Sequence, residues 1–291
     1  MVIQNKWFIV GKNNMNKIGV MQGRLTPSRN RGVQFFPFGE WQKEFTVAAK
    51  LGLDNIDFIF DLENFEKNPL WTVAGRSEIK SLIKKTGVVV RYITADFFMR
   101  QPFFRNKIGQ KENIAVLLKL IRIAKEIGVK AIEIPILDNS SIKTDSEEKK
   151  FRASITQCLN QAKISKMTLA LESDFPPVKF LKLLNSFKSP LVKAIYDTGN
   201  SVALNYQPNE ELPLIGKFIS HVHIKDRKIA GSTVALGTGA ANFPNIFSYL
   251  KKIGFAGNFI IQAARGKEGQ EEKTVRQQRN FVNHLIKNYL G

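Results

Sequence analysis

Residues 192–226 read VKAIYDTGNSVALNYQPNEELPLIGKFISHVHIKD. The stretch holds two short β-rich runs, VKAIYDTGN (192–200) and ISHVHIKD (219–226), parted by a helix-sized segment. Both runs are apolar at their starts and end in Asp or His, where an ordinary core strand ends in turn residues. Reading outward finds the same unit repeated. Upstream lie IGVMQGRL (18–25), NIDFIFD (55–61), VVVRYITADF (88–97), KAIEIPI (130–136) and TLALESD (168–174), and downstream lies FIIQAAR (259–265). Their starts are 24 to 42 residues apart, the size of one βα unit. Near-continuous apolar strands suit a parallel sheet covered by helices on its outer face.

The segments between them carry the helical period. Trp41, Phe45, Ala48 and Ala49 share one face, as do Ile114, Leu117, Leu118 and Ile121, and Ile246, Phe247, Leu250 and Ile253. Eight strands alternating with helices predict an α/β fold, a (β/α)8 TIM barrel in a single domain over residues 15–291. The open doubly wound sheet is the rival, but no GxGxxG follows the first strand. Residues 1–14 read as a polar tail outside the fold, with Met15 as a natural start. The Pro-, Gly- and Arg-rich stretch from Thr26 to Phe38 reads as a long first βα loop on the face where barrels build active sites.

Composition limits the function classes. The 291 residues include one cysteine, Cys158, on a helical stripe with Phe151, Ile155, Leu159 and Ala162, so it reads as packing rather than a nucleophile. A lone cysteine points to a reducing, cytoplasmic setting. No run approaches the roughly 20 apolar residues that span a bilayer, so no membrane partner is expected. The formal net charge of +19 could attract anions such as sugar phosphates, but it is spread along the chain and fits a lysine-rich solvated exterior equally. It does not by itself support nucleic-acid binding.

The carboxyl ends of barrel strands converge on one face, which brings Glu172, Asp197, His221, His223 and Gln262 together. Taken singly, each has a plain explanation: a helix cap, a turn, an interior hydrogen bond. Together they form an oxygen-rich set suited to one Mn²⁺, Mg²⁺, Co²⁺ or Zn²⁺. His223 lies nearer the strand's carboxyl end. His221, on the same face, lies one layer deeper.

LALES (169–173), YDTGNS (196–201), SHVHIKD (220–226) and LGTGAANFPNIFSYLKKIGFAGNFIIQAAR (236–265) resemble the xylose isomerase-like barrel superfamily, in its branch of sugar-phosphate isomerases and epimerases. MQGRL (21–25) with FPFGEWQKEF (36–45) is similar too, and the resemblance runs from about residue 17 to 285. It implies one divalent metal held by Glu172, Asp197, His223 and Gln262. The last departs from the family's carboxylate: an amide offers a carbonyl oxygen but cannot take a proton. The resemblance also implies proton abstraction next to a sugar carbonyl through an enediolate, with Glu172 as the base. The second acid of a two-base epimerase is missing from the ligand set, which leaves aldose–ketose isomerisation by one base, or epimerisation with Asp57, Asp96 or Asp226 as the candidate second acid.

For substrate contacts the expectations are Arg24, Asn200, Lys225 and Arg265, with Gly237, Thr238 and Gly239 offering backbone N–H groups to a phosphate. The partner is then a small sugar or sugar phosphate, and a homo-oligomer is the usual assembly of such relatives. Two other readings stand beside this one. The amide at 262 suits a non-catalytic sugar-binding barrel. Apurinic-site endonucleases of the same superfamily hold three zinc ions with many histidines, and this chain has three histidines in all.

Overall fold

The structure, a computed structural model, describes residues 16–105 and 107–291. The tail expected over 1–14, and Met15, lie outside the described residues. Among the described residues a closed barrel forms from β1 (Ile18–Met21), β2 (Asn55–Ile59), β3 (Val89–Thr94), β4 (Ala131–Ile136), β5 (Thr168–Ser173), β6 (Val192–Asp197), β7 (Ile219–Ile224) and β8 (Asn258–Ile261). Neighbours in sequence are neighbours in the barrel and all pairs are parallel. The seam closes by pairing Ile18 with Phe259 and Val20 with Ile261. The predicted (β/α)8 architecture is the observed one.

Branched and aromatic side chains on the outer strand faces pack against the helices. Phe58, Ile132, Leu169, Val222 and Phe259 are buried there with Phe45, Leu117, Leu120 and Phe247 from the helices. Cys158 is fully buried on the helix Asp145–Ser165, and burial pushes its thiol up to about 12, which makes it inert. None of the described helices is long and apolar enough to cross a membrane.

The strands stop sooner than the β-rich runs suggest. β6 ends at Asp197, whose Oδ1 accepts the N–H groups of Gly199 (2.9 Å) and Asn200 (2.8 Å) and starts a helix over Thr198–Ala203. Side-chain capping therefore overrides extended propensity once the chain leaves the ladder. Two-residue strands at Asp226–Arg227 and Thr233–Val234 form an antiparallel pair after β7 that no sequence pattern announced.

The barrel interior departs from the usual layers of Val, Ile and Leu. Asp57, Thr94, Glu133, His221 and His223 are buried on β2, β3, β4 and β7. A polar layer thus lies under the mouth.

Candidate active site

Glu172 near the end of β5, Asp197 ending β6 and His223 on β7 are all buried, and one donor atom from each lies within 4.8 Å of the others. Glu172 Oε1 accepts from Asn200 Nδ2 at 2.6 Å, and Asn200 Oδ1 in turn accepts from Arg227 Nη1 at 3.0 Å. Asp197 spends Oδ1 on the helix cap and turns Oδ2 to the Lys225 ammonium at 2.7 Å, with His223 Nδ1 4.0 Å away. The aliphatic part of Lys225 lies across Gly199, where a Cβ would stand 2.6 Å from Lys225 Cγ, so only glycine lets the lysine reach Asp197. Gln262 directly follows β8, and its Nε2 donates to Gln34 Oε1 at 3.0 Å.

Three atoms in this group have no partner: both ring nitrogens of His223 and Gln262 Oε1 are buried without a hydrogen bond. Buried donors and acceptors are rarely left so. An orphaned imidazole nitrogen, an orphaned amide oxygen and two carboxylates form a donor set that fits a divalent cation.

The electrostatics divide the acids into different roles. Burial and the charge of Asp197 raise Glu172, against the pull of Lys225 and His223. Burial pushes Asp197 up as well, but Lys225 and His223 outweigh it, and its pKa is lowered. His223 is pushed down by burial, yet Asp57, Glu172 and Asp197 together raise it.

A cavity of about 340 Å³ opens at the mouth, lined by Glu172, Asn200, Lys225 and Gln262 and also by Gln34, Asp96 and Arg227. Asp96 is the group sequence reading could not single out among three aspartates. Its Oδ2 accepts from Gln34 Nε2 at 2.7 Å, so Gln262, Gln34 and Asp96 form a hydrogen-bonded chain across the mouth. Burial, with repulsion from Asp61 and Glu172, pushes its pKa up to about 7 despite the Gln34 bond. Asp57 lies fully buried inside the barrel.

Asp226 has another task, and it corrects the expectation placed on LGTG. Its Oδ2 accepts from Gly237 N (2.9 Å) and Gly239 N (2.9 Å), and its Oδ1 from Ala241 N (3.1 Å). Of the three amides expected to meet a phosphate, those of Gly237 and Gly239 already bind this buried carboxylate, and that of Thr238 donates to Ala235 O at 3.1 Å. A Cβ at Gly239 would stand 2.2 Å from Asp226 Oδ1, which explains the glycine. The Thr238 hydroxyl donates to Ala235 O at 2.8 Å.

Both arginines expected at the substrate hold backbone carbonyls around the first loop. Arg24 donates through Nε to Ala263 O (3.1 Å) and through Nη1 to Val33 O. Burial, with Arg265 nearby, lowers it to about 9, although it reaches the cavity lining. Arg265 donates to the carbonyls of Val33, Thr26 and Gly23. Arg227, Gln34 and Glu133 were missed. For Glu133 a signal existed: an acid centred in the apolar strand AIEIPI can only face the barrel interior.

Comparison with known proteins agrees with this fold. The profile of the xylose isomerase-like TIM barrel family matches residues 45–285. The L-ribulose-5-phosphate 3-epimerase UlaE of Salmonella heidelberg is 27% identical, over 78% of this chain and 83% of that protein. D-psicose 3-epimerase from Clostridium cellulolyticum, solved with D-tagatose, superposes with a TM-score of 0.75 at 14% identity over 93% of this chain and 99% of that one. The IolI protein, solved with a bound zinc atom, gives 0.74 at 17% over 94% and 99%. The chain belongs to the xylose isomerase-like TIM barrel family.

Proposed function

We propose that this chain is a divalent-metal-dependent epimerase of a small ketose or ketose phosphate, working by proton abstraction next to the carbonyl. The observation that carries the reading is a pair of carboxyl groups, Glu172 buried and Asp96 half-buried, lining one cavity and both raised in pKa. Inverting a carbon centre needs one group to take a proton and another to return one. Glu172, Asp197, His223 and Gln262 would hold the metal, whose charge stabilises the enediolate that forms when the proton leaves. Glu172 accepts the proton from carbon. Asp96, near half-protonated at pH 7, returns one to the other face. Asn200 orients Glu172 by its 2.6 Å bond. Arg227 and Lys225 bring positive charge to the lining for substrate oxygens or a phosphate.

The test is a screen of ketoses and ketose phosphates in D₂O with Mn²⁺, followed by NMR. One carbon should exchange its hydrogen and the epimer should appear. Glu172→Gln should lose both signals. Asp96→Asn should keep the exchange and lose most of the epimer, because the base survives without its counterpart. No exchange with any ketose, or an unimpaired Glu172→Gln variant, would overturn the reading.

The Lys225–Asp197 ion pair and the neutral Gln262 favour a second reading, a barrel that binds a sugar without turning it over. Calorimetric binding of a ketose by protein that takes up no Mn²⁺ would select it.

A further inference from the structure

Beneath the mouth donors a second set of side chains converges inside the barrel. Asp57 on β2, Glu133 on β4, and His221 and His223 on β7 each offer one atom to a common point, all within 4.8 Å of one another. His223 Nε2 lies 3.2 Å from Glu133 Oε2 and 3.5 Å from Asp57 Oδ2. His221 Nε2 lies 3.8 Å and 3.9 Å from Asp57 Oδ2 and Glu133 Oε2. The four side chains are 0–1% exposed.

Three of the four converging atoms, Asp57 Oδ2, His221 Nε2 and His223 Nε2, have no hydrogen-bond partner. A buried polar atom left unpaired is costly, so three meeting at one point call for a ligand. Asp57 and His221 are also held at their outer atoms. The Thr94 hydroxyl stands 3.1 Å from Asp57 Oδ1, and it lies 3.2 Å from the converging Oε2 of Glu133. His221 Nδ1 meets the Ser220 hydroxyl at 3.2 Å. The His221 ring stacks on Tyr92 with centroids 3.9 Å apart, and the Tyr92 hydroxyl accepts from Asn258 Nδ2 at 2.9 Å. Free inner atoms on anchored side chains are the arrangement of metal ligands held by outer hydrogen bonds.

The spacing separates a metal site from a hydrogen-bond network. At metal–donor distances of about 2.0–2.2 Å, the corners of a tetrahedron stand about 3.3–3.6 Å apart. The four measured edges run from 3.2 to 3.9 Å. Pairs at 3.8 and 3.9 Å are too long for N–H···O bonds. Two nitrogens and two carboxylate oxygens in a tetrahedron suit zinc, and a dication balances the two carboxylates that burial would otherwise penalise.

We propose that Asp57, Glu133, His221 and His223 form a second, wholly buried tetrahedral site for a divalent cation, best matched by Zn²⁺, which ties β2, β4 and β7 together across the interior. His223 is common to both sets: its Nδ1 faces Asp197 and its Nε2 faces inward. With both sites filled, His223 would serve each through a different ring nitrogen. The inner site shares His223 with the mouth, but the proposal holds whether or not the chain turns over a sugar.

The test uses the full chain expressed with zinc, dialysed against EDTA and assayed by inductively coupled plasma mass spectrometry. About one zinc per chain should resist the chelator, because four donors at 0–1% exposure inside the barrel give EDTA no direct access to the ion. Asp197→Asn, which weakens the mouth set but keeps the helix cap, should retain that zinc. Asp57→Asn and His221→Gln should each lower the retained zinc roughly tenfold or more, the scale of loss from disturbing a metal's surroundings. Since those two variants could misfold, Co²⁺ alone is also loaded into the wild type and Asp197→Asn. Both should show the intense visible bands of four-coordinate cobalt. Wild type without chelator-resistant zinc, equal retention in Asp57→Asn, or only the faint absorption of six-coordinate cobalt would each overturn the proposal. Loss confined to Asp197→Asn would assign the metal to the mouth and overturn it as well.

Discussion

Gln262 is the residue at which chemistry and family pattern part. Its Oε1 is buried and unpartnered while its Nε2 is bound to Gln34, so the amide is oriented with its acceptor free. A carboxylate there would raise the formal negative charge of the mouth donors from two to three. Gln262→Glu should therefore tighten Mn²⁺ by about tenfold, or about 1.4 kcal/mol, in isothermal titration calorimetry. Weaker binding would remove Gln262 from the donor set. The same change breaks the bond to Gln34, so the hydrogen bond on Asp96 should slacken with it. Glu172, Asp197, His223 and Gln262 were legible in the sequence because a polar residue at the end of an apolar strand has one place to go in a barrel. Arg24, Arg265 and the LGTG amides were legible only as donors near the mouth. Their acceptors are loop carbonyls and the carboxylate of Asp226, and such pairings arise from loop paths that carry no period.

At the scale of elements, the first βα loop controls the mouth. It supplies Gln34, and it is held from below by Glu44, whose carboxylate accepts the N–H groups of Gly23 and Leu25, and from the side by Arg265. Arg265→Ala removes the donors to the carbonyls of Gly23, Thr26 and Val33 without touching the cavity lining. Amide hydrogen exchange over residues 26–38 should quicken by roughly tenfold or more, given about 0.5–1.5 kcal/mol for each of several lost bonds. Exchange in the barrel strands should stay as it was. Unchanged exchange in the loop would place its anchorage elsewhere, in Phe35 and Phe36, both buried. The sequence located this loop from its Pro, Gly and Arg content. It could not give the strand ends, because β6 yields to the Asp197 cap and β1 stops at Met21, ahead of the turn that carries Arg24.

The whole molecule combines a strongly basic exterior with buried acids, and the two respond differently to pH. Eight βα units were countable from spacing alone because each strand must recur at the length of one crossover. The burial of acids was not countable, since it depends on which neighbours the fold brings together. Burial is the leading cause that pushes Glu44, Asp96 and Glu211 each up to about 7. Between the ordinary carboxyl range and pH 7 the folded chain therefore holds protons that the unfolded chain has released. Stability falls with pH wherever the folded state binds more protons. Asp197, lowered in the fold, acts the other way, but only as pH drops through the acid range. Titration of these three carboxyls shifts the folded chain's net charge by only a few units against +19, so self-repulsion does not mask the effect. The melting temperature at fixed ionic strength should thus be highest near pH 5.5 and decline toward pH 8. The loss should reach a few kcal/mol, since each tenfold change in proton affinity is worth about 1.4 kcal/mol. Glu211→Gln, at a side chain with one oxygen unpartnered, should flatten the decline without moving the acid limb. A melting temperature that rises steadily from pH 5.5 to 8 would mean that these carboxyls enter the fold already ionised.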